Sequence, residues 1–110
     1  MMKTTLTLVA LAALAASASA PAANLDAGKQ KAQEVCQACH GMDGLSTVNA
    51  DYPKIGGQHR DYLAKALRDY KAGVRKNAIM GAMAQPLTAQ EIENMAAYYA
   101  SQPGPLKSLY

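Results

Sequence analysis

Cys36-Gln37-Ala38-Cys39-His40 is the stretch whose residue types and spacing dictate chemistry. Two thiols three positions apart on one helical turn can each add to a vinyl group of a single haem, forming two thioethers. The next residue can then offer its imidazole to the iron, and C-x-x-C-H is the spacing of such attachment sites. The sequence has two cysteines, both in this pentapeptide, so no thiol remains for a structural disulfide. Two other chemistries use paired cysteines. A redox dithiol of the thioredoxin kind sits in a βαβ context, and no alternating run long enough for a strand occurs here. A Cys2His2 zinc site needs its histidines three to five residues apart on a separate segment. Here His40 abuts Cys39 and His59 follows 19 positions later. Haem is therefore the reading that these residues favour.

An iron held by His40 has a second axial position to settle. A thioether sulfur there favours the ferrous state and raises the potential. The sequence offers Met42, Met80, Met83 and Met95. Met42 lies too close to the attachment turn to reach the opposite face. Met95 falls on an apolar stripe, where a methionine packs. Met80 and Met83 both remain. A bis-histidine arrangement would need His59, which opens a helix and reads as a solvated helix-start residue.

These groups must be positioned by helices. A first helix is predicted from Asn24 or Asp26, both good N-caps, through Gly28, Ala32 and Val35 to the cysteines. Gly41 and Gly44 break it, and Gly41 to Gly57 reads as a loop containing Pro53. A second helix is expected over Gln58 to Ala72, where Tyr62, Leu63, Ala66, Leu67 and Tyr70 recur at three- and four-residue intervals. Gly73 to Leu87 reads as a loop that carries Met80 and Met83. Thr88-Ala89-Gln90-Glu91 is a capping box that starts a last helix running to about Ser101, with Ile92, Met95, Ala96 and Tyr99 on one face. Pro103-Gly104-Pro105 ends it, ahead of a loose tail. The fold class predicted is all-α, with about three main helices and loops wrapped around one haem.

The first 20 residues read as a signal peptide: Lys3 supplies the positive start, Leu6 to Ala16 is uncharged, and Ser17-Ala18-Ser19-Ala20 supplies small residues for cleavage. Pro21 makes a cut after Ala20 awkward, so the site is placed between 18 and 22. The apolar run is shorter than the roughly 20 residues that span a bilayer, so removal is preferred over anchoring. Residues 21–110 then form one small domain, with no Trp and no Phe. Chains of this size bury little surface and often need a staple. A covalent haem would supply the large apolar body. Without Lys3 the balance is 10 basic to 8 acidic residues, too small an excess for nucleic-acid binding. The basic residues from Arg60 to Lys76 could steer an acidic partner or form a solvated helix face.

Taken together, Gly28, Cys36-Gln37-Ala38-Cys39-His40-Gly41, Tyr52-Pro53-Lys54-Ile55-Gly56-Gly57-Gln58 and Met80-Gly81-Ala82-Met83 resemble a class I cytochrome c, with kin in the cytochrome c4 and c-553 group. The likeness extends to Leu87-Thr88 and Met95-Ala96-Ala97-Tyr98-Tyr99, essentially the whole domain. It implies one covalent haem c on Cys36 and Cys39, His40 as proximal iron ligand, and Met80 as distal ligand with Met83 the alternative. It also implies that the Pro53 carbonyl accepts the proximal imidazole's N–H, and that Gly28 and Tyr98 mark a crossing of the first and last helices. Ala32 departs from the pattern, since many relatives carry an aromatic there. Only one C-x-x-C-H is present, so this chain holds one haem.

The function implied is a periplasmic, monomeric electron carrier that passes single electrons between redox proteins, with no substrate and no stable membrane insertion. One alternative is a haem subunit of a periplasmic dehydrogenase. A more distant one is a haem protein with an open sixth site that binds ligands or reduces peroxide.

Overall fold

The computed structural model describes residues 2, 9–10 and 22–106. The predicted signal peptide thus lies almost entirely outside the described residues. Among them every regular element is helical.

The first helical run bears the attachment pentapeptide. Helix α1, Leu25–Lys31, is capped by Asn24, whose side chain accepts from the Ala27 N–H. The chain then widens into a π-helical turn, Ala32–Cys36, and tightens again into α2, Gln37–His40. The Gln37 N–H reaches back five residues to the Ala32 carbonyl. Such single wide turns are frequent at functional sites, and this one ends on the first thiol. Gly41 stops the run at φ +77°, a left-handed value that favours glycine.

Helix α3 spans Arg60–Ala72 and ends at Gly73. It starts two residues later than the periodicity suggests, because His59 keeps an extended ψ of 132°. The segment predicted as a loop over 73–87 is not all loop. Ala78–Ala84 forms a short helix, α4, so Met80 and Met83 sit on a helix. Asn77 caps it, its side-chain oxygen accepting from the Ile79 and Met80 N–H groups at 3.0 Å each. Helix α5, Ala89–Ser101, begins at the predicted capping box, with Thr88 and Glu91 bonding each other's backbone at 3.1 Å.

Helix α5 is the spine of the core. Its buried Ile92, Met95, Ala96, Tyr98 and Tyr99 cluster with Ala32 from the first run, Leu63 and Ala64 from α3, Ala84 from α4, and Leu87. The first and last helices cross at Gly28, where an added Cβ would lie 2.1 Å from the Asn94 carbonyl oxygen. Only glycine allows that approach. Tyr98 covers the crossing, its Cβ 3.1 Å from the same point. Ala32 in place of an aromatic does not prevent the contact; the small side chain is wholly buried there. Polar ties hold the same interface. Asn94, 6% exposed, accepts from the Asn24 N–H at 2.9 Å, and Lys31 pairs with Glu91 at 2.6 Å.

Candidate haem-binding site

The helical run and α5 together fix the loop that follows His40. The Tyr98 hydroxyl donates to the Met42 carbonyl at 2.8 Å and the Tyr99 hydroxyl to the Gly41 carbonyl at 3.1 Å. The two rings meet edge to face with centroids 5.2 Å apart. Further along, the Ile55 and Gly56 N–H groups donate to the Gly44 carbonyl, which folds the loop back. That return brings Pro53 over His40, whose Nδ1 lies 2.9 Å from the Pro53 carbonyl oxygen. A carbonyl can only accept, so Nδ1 carries the proton and Nε2 keeps its lone pair for a metal. His40 is only 8% exposed.

Beside His40 opens a cavity of about 200 Å³. Cys36, Met95 and Tyr99 border it from the first run and α5, and Leu63, Leu67 and Tyr70 from α3. The stripe predicted as a buried face of α3 is therefore largely the wall of this cavity. Tyr62, counted in that stripe, is half exposed because it stands at the cavity's solvent side. Met80 borders the cavity; Met83 does not, and is 43% exposed. Met95 packs as predicted and also touches the attachment site, its sulfur 3.5 Å from the Cys36 sulfur. Met42 is packed against the core, and His59 is exposed just before α3.

The donor set matches haem chemistry. Both thiols are free and partly buried, one helical turn apart. Burial pushes the Cys36 thiol up to about 11, against smaller opposing effects from the Tyr99 hydroxyl and Lys31. Burial also drives Tyr99 far above the ordinary phenol range, with the neighbouring Cys36 adding to it. This is an apolar, water-poor setting, suited to a flat hydrophobic ring and poorly suited to a free dithiol, which needs an accessible thiolate. Among the described residues no group of three or more His, Cys, Asp or Glu side chains is arranged to hold a metal ion. Lys54 and Arg75 also border the cavity. Arg75 stacks over the Tyr70 ring at 5.0 Å and reaches the Tyr62 hydroxyl at 3.4 Å, a role that residue types alone did not signal.

Comparison with known proteins agrees with this geometry. The cytochrome c family profile matches residues 25–102. The chain is 52% identical over 77 residues to cytochrome c4 of Thiocapsa roseopersicina, covering 70% of this chain and 39% of that protein. It is 40% identical over 84 residues to cytochrome c-554(548) of Halomonas halodenitrificans, covering 74% of this chain and 99% of that one. The crystal structure of reduced recombinant cytochrome c4 from Pseudomonas stutzeri superposes with a TM-score of 0.68 at 40% identity, over 76% of this chain and 47% of that one. The chain thus spans less than half the length of the cytochromes c4 it matches. Fold, attachment motif and similarity converge: the chain belongs to the cytochrome c family, as a class I member of the cytochrome c4 group, and carries covalently bound haem c.

Proposed function

We propose that this chain is an exported single-electron carrier whose haem iron is held between His40 and Met80. The observation that carries the reading is that both side chains border one cavity while Nδ1 of His40 is committed to Pro53. Cys36 and Cys39 hold the haem by thioethers, His40 supplies Nε2, and Met80 supplies its sulfur from the short helix α4. Met83 is the poorer choice because it stands outside the cavity and is 43% exposed. When bound, the haem supplies a ferrous–ferric couple, and a methionine ligand raises its potential.

The remaining residues keep that couple clean. Leu63, Leu67 and Met95 give the cavity an apolar wall. With His40 and Met80 both holding the iron, no coordination site would be left for a substrate, which fits a carrier and not an enzyme. The Pro53 carbonyl fixes the imidazole plane, so the ligand geometry stays constant as the charge changes.

Residues 1–20 serve as the signal peptide, cleaved between 18 and 22, and residues 21–110 act as a monomer in the periplasm. Among the described residues no helix is long and apolar enough to cross a membrane. The partners are redox proteins that donate and accept electrons. Of the basic residues from Arg60 to Lys76, Arg60 and Arg68 are bound to Glu93, at 3.1 and 2.9 Å. The attraction for an acidic partner therefore centres on the exposed Arg75 and Lys76, joined by Lys54 beside the cavity. An optical redox titration tests the proposal: a single one-electron transition with slow carbon monoxide binding to the reduced protein is expected. Rapid carbon monoxide binding would favour an open sixth site and overturn it.

A further inference from the structure

Helix α4 has seven residues, and Ala84 is the one side chain of it that is buried. A helix this short is not stable by itself, so its position depends on what ties down its two ends. Asn77 holds the front. The back is held by an exchange with α3. Lys71, next to the last residue of α3, donates from Nζ to the Gln85 carbonyl at 3.0 Å and to the Leu87 carbonyl. Gln85, the residue capping α4, donates from Nε2 to the Lys71 carbonyl at 2.8 Å. Gln85 thus satisfies a carbonyl at the C-terminal end of α3, and Lys71 satisfies the capping carbonyl of α4 together with that of Leu87, just before the Thr88 cap of α5. The Lys71 ammonium also meets the negative end of the α4 dipole.

We propose that Lys71 and Gln85 form a reciprocal clamp that sets how readily Met80 leaves the iron. The inference rests on the reading of Met80 as distal ligand. Neither residue borders the cavity, so both act as positioning residues through the helix that bears Met80. Helix α3 is the cavity wall through Leu63, Leu67 and Tyr70; locking α4 to α3 fixes the Met80 backbone relative to that wall. When the clamp opens, the end of α4 frays and the sulfur is away from the iron for a larger fraction of the time. An external ligand then binds more tightly in proportion to that open fraction.

Imidazole titration of the ferric holoprotein tests this, read at the weak charge-transfer band of an iron–methionine bond. Lys71→Met keeps the aliphatic stem and loses the ammonium with both its hydrogen bonds, and it should bind imidazole at least about tenfold more tightly, the scale of one charge-assisted hydrogen bond. Gln85→Ala should give about threefold, and provides the test if Lys71→Met does not take up haem. Lys71→Arg, which keeps charge and donors, should stay within about twofold of the parent. Glu93→Gln loosens α3 from α5 by weakening the Arg60 and Arg68 ties without touching α4, and should leave imidazole affinity unchanged. If Glu93→Gln tightened imidazole as much as Lys71→Met, the effect would be general loosening and the clamp would be refuted. Affinity unchanged in Lys71→Met and Gln85→Ala, with Met80→Ala strongly affected, overturns the clamp alone. A Met80→Ala protein that keeps the band and the parent affinity overturns the ligand reading, and the clamp with it.

Discussion

Gly28→Ala should destabilise the holoprotein, although alanine is the better helix former. The new Cβ would stand 2.1 Å from the Asn94 carbonyl oxygen and 2.6 Å from its carbon, whereas ordinary contact begins near 3.4 Å. The neighbour is backbone on α5, so no rotamer change relieves the clash. The two helices must separate by roughly an ångström, which loosens the packing around Ala32 and lengthens the Asn24–Asn94 and Lys31–Glu91 ties. Overpacking of this kind costs about 3 kcal/mol at the upper end of its usual range, and replacing an interior helical glycine returns about 1 kcal/mol. The net expectation is a loss of about 2 kcal/mol. Guanidinium unfolding of the ferric holoprotein measures it, as a lower midpoint with an unchanged slope. Gly81→Ala is the matched control. It lies inside α4 with nothing within 4 Å of an added Cβ, so it should be neutral or stabilising by about 0.5 kcal/mol. A Gly28→Ala protein as stable as the parent would refute the close crossing.

Replacing both Cys36 and Cys39 by alanine should leave a chain whose intact mass shows no added haem, whereas the parent should carry one and resist thiol alkylation. Glu91→Gln should lower stability near neutral pH and make little difference in strong acid. The Lys31 ammonium and the Thr88 backbone hold the Glu91 carboxyl below its usual range, so its contribution is present above the ordinary carboxylate pKa. That contribution fades as pH falls through the depressed folded-state value, and urea midpoints measured across acid pH would show the two proteins converging. Equal midpoints at neutral pH would contradict it.

The parts of the fold legible in the sequence were those with local chemistry. The capping box at Thr88 and Glu91 and the stripe on α5 read directly, and the first N-cap narrowed to Asn24 or Asp26, because each depends on residues within one or two turns; the structure selects Asn24. The attachment pentapeptide read for the same reason. Helix α4 did not. Ala78-Ile79-Met80-Gly81-Ala82-Met83-Ala84 has no polar face to set a period and holds a glycine at its centre, so nothing in its pattern marked a helix. The π-helical turn is invisible because its widened hydrogen bond, Gln37 to Ala32, has no residue-type signature. Asn94 carried no signal in the sequence; its purpose appears only once α1 is laid across α5 and the Asn24 N–H donates to it. The stripe on α3 was read correctly as apolar, but periodicity cannot distinguish a face covered by protein from one that lines a cavity.

The iron ligands are tested most directly by the ferric spectra of Met80→Ala and Met83→Ala beside the parent. A methionine sulfur bound to ferric haem gives a weak charge-transfer band. Met80→Ala should lose the band and show a lower midpoint potential. Met83→Ala should keep the band, with at most a small loss of stability from its half-exposed side chain. A band that survives in Met80→Ala and vanishes in Met83→Ala would contradict the assignment.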